Sequence, residues 1–184
     1  MNEPMTVLTD YALAAVSTFL GFKLISNSRF WALAFLGIAL AALLGGTWHG
    51  FWQNNVLWKA TTLSVGVASF GMVAGSALAT TRGPLLGLLI GFASVKLAVY
   101  SVWMLRHDDF IWVVADTASA LLIVGVLYLR RFNGWMLAGV AVSVLAGLAQ
   151  ASGLRLHEHF NHNDLYHVIQ VAAMLVLYRG LKAG

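Results

Sequence analysis

Apolar runs of about twenty residues follow one another along almost the whole chain, separated only by short polar interruptions. A helical run of that length crosses the hydrocarbon core of a bilayer. Inside lipid each backbone N–H and C=O must be satisfied within the protein, which leaves helices as the natural form for such runs. The interruptions divide the chain into seven expected spans, at about 10–26, 30–50, 56–79, 84–105, 110–130, 134–153 and 163–181. Thr9-Asp10 reads as a cap on the first. Ser26-Asn27-Ser28-Arg29 forms the first loop, Gly83-Pro84 opens the fourth span, and Arg130-Arg131-Phe132-Asn133-Gly134 separates the fifth from the sixth. The expected fold is all-α, one domain over 1–184, with sequence neighbours antiparallel in space.

Composition agrees. Only 10% of residues are charged, where a soluble domain carries about 25%, and mean hydropathy is +0.80. Met1-Asn2-Glu3-Pro4 has no basic stretch and no small-residue cleavage site, so no removable signal peptide is expected. Cysteine is absent, so any metal must be held by His or carboxylate.

The basic residues set an expected orientation. Lys23, Arg29, Arg82, Arg130, Arg131, Arg179 and Lys182 fall on the side of the C-terminus, whereas Lys59, Arg106 and Arg155 fall opposite. That asymmetry predicts a cytoplasmic C-terminus and an external N-terminus, in a plasma membrane such as the bacterial inner membrane. The basic residues are spread over several segments at a lipid interface. They imply membrane anchoring and no nucleic-acid partner.

Polar residues are rare enough that their positions matter. His157-Glu158-His159-Phe160-Asn161-His162-Asn163-Asp164-Leu165-Tyr166-His167 packs four histidines and two carboxylates ahead of the last apolar run. Ionisable groups at the mouth of a membrane helix are costly to desolvate, so they mark a candidate site. Alternation of the spans places His49, Lys59, Asp116, His162, Asp164 and His167 near one outer depth. Asp164 and His167 share a helix face at a spacing of three, and Gln170 continues the stripe. His162 points about 140° away at 100° per residue. A His and a carboxylate on one helix, met by a His from another, make a divalent-metal grouping of the kind zinc accepts. The competing reading is a set of interfacial histidines bonded to backbone or to Asp164. His157, Glu158 and His159 read as a solvated loop, and His107 with Asp108 and Asp109 as a surface turn. Lys96 and Asp116 can neutralise each other. Gly71-x-x-x-Gly75 and Gly87-x-x-x-Gly91 read as close-packing signals within the chain.

Two short motifs carry a resemblance. Leu165-Tyr166-His167-Val168-Ile169-Gln170-Val171-Ala172-Ala173 resembles the seventh helix of the CREST superfamily, which contains alkaline ceramidases, the progestin and adiponectin receptors and hemolysin III proteins. Gly45-Gly46-Thr47-Trp48-His49 resembles the end of that superfamily's second helix. The resemblance implies seven spans and a zinc ion held by one His of the second helix and two of the seventh. It also implies hydrolysis of lipid amides such as ceramide. Gly45 stands at the superfamily's Ser position, Asn163 at its first helix-seven His and Lys59 at its helix-three Asp. His49 and His167 remain, and Asp164 or His162 would supply the third ligand.

The expectation is a zinc-dependent membrane hydrolase of a lipid amide or ester, with Asp116 or another carboxylate taking the proton and Lys59 or Tyr166 stabilising the oxyanion. A non-catalytic lipid- or ligand-binding protein is the alternative. A proton-coupled carrier using Lys96, Asp116 and His167 is a third. Oligomeric state is left open.

Overall fold

The computed structural model describes residues 3–183. Met1 and Asn2, on which part of the signal-peptide expectation falls, lie outside the described residues, as does Gly184. Seven helices account for nearly all of the described residues: α1 Pro4–Leu24, α2 Arg29–Gly50, α3 Asn55–Thr80, α4 Gly83–Arg106, α5 Ile111–Leu129, α6 Gly134–Ser152 and α7 His162–Ala183. Six of them, α1 to α6, are long and apolar enough to cross a membrane. The seventh, at 22 residues, is as long but is the least apolar, and Asp164, His167 and Gln170 lie on its buried face.

Local sequence fixes most ends. Asn54 and Asn133 cap α3 and α6, their side-chain oxygens accepting from Leu57 N (2.9 Å) and Met136 N (3.1 Å). Gly153, at φ +64°, ends α6 in the left-handed conformation that glycine adopts without steric cost. The start of α1 departs from expectation. Pro4 suits a first helical turn, and the helix begins there rather than at Asp10. Asp10 is therefore not a cap but a residue of the second turn.

Helix α1 packs on α2 and α7, α2 on α3, α3 on α5, α5 on α6, and α6 on α7, closing a ring of six. Helix α4 lies outside the ring along α3. It reaches α5 through the Lys96–Asp116 ion pair and a small cluster of Tyr100, Met104 and Val113. The main core includes Trp31, Phe35, Met72, Val124, Met174 and Leu177. Helix α3 comes close to α2 at Gly71, where an added Cβ would stand 2.6 Å from Phe30 O. The Gly87–Gly91 pair differs from the packing expectation, for an added Cβ at either meets nothing within 4 Å. The buried face of α4 is instead Ala93, Tyr100 and Met104. Leu88, Val95, Val99 and Leu122 are among the large apolar side chains exposed on the outside, as lipid contact requires.

Helix alternation puts Lys23, Arg29, Arg82, Arg130, Arg131, Arg179 and Lys182 at one end of the bundle, the arginine-rich end. His49 and His167 lie toward the other, the histidine end.

Candidate polar centre at the histidine end

The centre is built on a buried stripe of α1. Thr6, Thr9, Asp10, Leu13, Ser17 and Leu20 recur every three or four residues and face inward. Asp10 is only 3% exposed. Its Oδ1 lies 3.1 Å from His167 Nε2. The other ring nitrogen, Nδ1, lies 3.1 Å from Thr9 Oγ1. One imidazole from α7 thus has consecutive residues of α1 at its two nitrogens, Thr9 hydrogen-bonded to Nδ1 and Asp10 at ion-pair distance from Nε2. Thr9 Oγ1 is also 3.1 Å from both Met5 O and Thr6 O and does not line the cavity described below. Thr9 orients the ring and is not placed to act as a nucleophile.

The start of α7 sets the rotation of His167. Asn161 Oδ1 accepts from Asn163 N (2.8 Å), and Asp164 Oδ2 accepts from Asn161 N (2.7 Å). This reciprocal arrangement is a capping box. It fastens Asp164 to the helix terminus, with its other oxygen 3.5 Å from Thr9 Oγ1.

Helix α2 contributes His49 in its last turn, with Nδ1 3.0 Å from Glu3 Oε2. The two are within ion-pair distance but not aligned as a hydrogen bond, and both atoms are buried without a partner. Asp10 Oδ2 is unpartnered as well. Gly46 permits this approach of α1 and α2: an added Cβ would stand 2.8 Å from the Tyr11 ring and 2.9 Å from Asp10 Cβ. Gly45 is roomier, and an added Cβ would lie 3.7 Å from both Asp10 oxygens.

Three carboxylates, Glu3, Asp10 and Asp164, therefore surround two histidines, and among the described residues no Lys or Arg pairs with them. Uncompensated carboxylates at such a depth must find a cation or a proton. No three of the His, Asp and Glu side chains among the described residues already stand together at metal-ligand spacing.

A 250 Å³ cavity opens onto the centre, lined by Asp10, His49, His167, Asn163, Tyr166 and Trp58, with apolar residues around them. A second cavity, of 220 Å³, lies deeper and is walled by Phe35, Met72, Leu121 and Met174 among others. Ile38, Val65, Phe110, Gln150 and Tyr166 line both. Polar and apolar compartments thus share a wall at the level of Tyr166.

The other sequence candidates sit apart from this cavity. Lys59 Nζ donates to His107 O (2.7 Å) and Met104 O and pairs with Asp108 (2.7 Å), so it fastens α3 to the turn after α4. The open carbonyls and negative dipole end of α4 attract it there. Asp116 is held by Lys96. His162 begins α7 and does not line the cavity. Glu158 and His159 are exposed and 3.3 Å apart in the loop.

Asp10, Thr9 and Glu3 are the members that sequence reasoning passed over. The signal was present: the buried stripe Leu13, Ser17, Leu20, Leu24 extrapolates back by one turn to Thr9-Asp10.

Residues 5–184 match the family described as "Family of unknown function (DUF6962)", and the chain belongs to it. No curated protein and no solved structure matches.

Proposed function

We propose that this member of DUF6962 is a seven-span integral membrane hydrolase that cleaves a lipid amide or ester at the histidine end. The observation that carries this reading is the shared wall between the polar and apolar cavities. An acyl chain occupies the apolar compartment, which leaves its polar linkage beside Tyr166 and the Asp10–His167 pair. The excess of basic residues at the other end supports a cytoplasmic C-terminus and an outward-facing site.

The donor types suit a divalent metal such as zinc, and a third ligand would have to close on the Asp10–His167 pair. Asp10 Oδ2, Glu3 Oε2 and His49 Nδ1 are among the unpartnered buried atoms, and among the described residues no Lys or Arg pairs with the carboxylates there. His167 Nε2 and Asp10 Oδ1, at 3.1 Å, are spaced as neighbouring ligands with bonds of about 2 Å are spaced. His49, His167 and Asp10 would hold the ion, with Glu3 beside them. Asp10 thereby takes the part expected of Asp164 or His162. The ion would supply Lewis acidity and lower the pKa of a water molecule. Around it, Glu3 accepts a proton, Thr9 keeps the His167 ring in register, and the Tyr166 hydroxyl, at the junction, donates to the developing oxyanion. Asp116 and Lys59, engaged elsewhere, take no part.

A binding protein without turnover is the second reading. It is favoured by the crowding of both His167 nitrogens, since a ligand reaching that ring must compete with Asp10 or Thr9.

Elemental analysis of purified protein, with ceramide and lipid-ester hydrolysis assayed with and without chelator, tests the proposal. The expected result is about one metal per chain and turnover lost in His167→Ala and in chelator. Saturable lipid binding with no turnover across metals and pH would establish the second reading instead.

A further inference from the structure

At the opposite end, the bundle holds a larger cavity, of 620 Å³, between the start of α2 and the ends of α3, α5 and α7. Arg29, Trp31, Thr80, Tyr128 and Arg131 are among its lining residues, and none of the lining residues is acidic. The seven acidic residues, Glu3, Asp10, Asp108, Asp109, Asp116, Glu158 and Asp164, all belong to the histidine half. Arg131 uses one N–H on Thr80 O (2.9 Å), which fixes its guanidinium at the rim. Arg29 makes no ion pair among the described residues.

Two further features supply donors. Helix α2 starts here, and Ser28 gives it no side-chain cap. The first intrahelical bond is from Ala32 N to Ser28 O, so the amides of Arg29, Phe30 and Trp31 lack helical acceptors. A helix terminus of this kind attracts anions. Independently, Trp31 is 1% exposed and its Nε1 is buried without an acceptor. The Tyr128 hydroxyl is the polar group next to the indole. An added Cβ on Gly75 would stand 2.6 Å from Trp31 Cδ1 and 3.1 Å from Nε1. Gly75 lines this cavity and not the apolar one, so this edge of the indole packs on the α3 wall that borders the arginine-side cavity. A buried N–H without an acceptor is costly, and native structures rarely retain one.

We infer that this cavity is a second binding site, for a phosphate group. Two guanidinia, free helix amides and an indole N–H offer donors and positive potential with no opposing carboxylate. A phosphate presents several acceptor oxygens and negative charge to match them. Phe30, Leu78 and Leu181 line the cavity as well, so the phosphate can arrive on the glycerol of an anionic phospholipid or on a soluble ester.

Binding to purified full-length protein in neutral detergent, read by thermal shift and native mass spectrometry, tests this. The probes are short-chain phosphatidylglycerol, glycerol 3-phosphate and, as a zwitterionic comparison, short-chain phosphatidylcholine. Saturable binding of either anionic probe is expected, weakened about tenfold by Arg29→Gln or Arg131→Gln. Trp31→Phe, which removes only the N–H, should weaken it less. Arg130→Gln, next in sequence but not lining the cavity, should leave it unchanged. Binding of phosphatidylglycerol alone identifies a lipid headgroup, and binding of both anionic probes a general phosphate site. Absence of saturable binding by either anionic probe overturns the inference. So does equal weakening by Arg130→Gln and Arg131→Gln, which would mean diffuse attraction to a basic surface. If Trp31→Phe fails to fold, that arginine comparison still decides.

Discussion

Asp10 Oδ1 and His167 Nε2, 3.1 Å apart, join the first helix to the last. The contact closes the helical ring at the level of the polar cavity. Structure and proposed chemistry therefore depend on the same pair.

Replacing Asp10 by Ala should lower stability by about 1–3 kcal/mol, because a buried imidazole loses its partner. It should also remove bound metal. Thermal unfolding in detergent and elemental analysis read the two effects separately. Asp164→Asn should retain metal, since that carboxylate belongs to the capping box. Metal lost with Asp164→Asn but kept with Asp10→Ala would restore Asp164 to the ligand set.

The Lys96–Asp116 pair gives a purely structural expectation. Either side chain replaced by Ala leaves an uncompensated charge in the bundle, at a cost of about 3–5 kcal/mol. The double change Lys96→Met with Asp116→Leu removes both charges and keeps most of the volume, and it should recover much of that loss. Folded yield and unfolding temperature are the readouts. Neutral single variants would mean that each group reaches water.

Two adjacent glycines should behave differently. Gly46→Ala forces α1 and α2 apart, because its Cβ would meet Asp10 and Tyr11 at 2.8–3.0 Å. It should cost about 1–3 kcal/mol. Gly45→Ala, with its nearest neighbour at 3.6 Å, should be tolerated. Unfolding temperatures of the two variants make the comparison. Equal losses would mean that helix propensity or flexibility, not the α1–α2 contact, decides.

Orientation is tested without chemistry. A reporter fused to the C-terminus should be active as a cytoplasmic tail, and an external signal there would place the histidine end inside.

Much of the architecture could be read from the residues, and the exceptions have physical causes. Run length sets the seven helices, and alternation alone brings His49 and His167 to one cavity. The position of α4 could not be read, because apolarity marks lipid and protein contact alike; Gly87 and Gly91 look like packing residues but face outward. Lys59 misled because a long cationic side chain can turn away from its apparent depth toward helix carbonyls. Asp10 was hidden by position. An acid followed by an apolar run reads as a helix start, and only Pro4 and the backward extension of the buried stripe argue for a helix that begins earlier.

The capping box at Asn161 and Asp164 also separates the loop before α7 from the site beyond it. The rotation of His167 is counted from this local motif and not from the end of α6. The span from Gly153 to Phe160 can then lengthen or shorten without turning the buried face of α7 away from α1. Epitopes inserted between Glu158 and His159 would ride on a tether whose length the polar centre does not feel, which makes that loop the natural place for a label or a crystallisation partner.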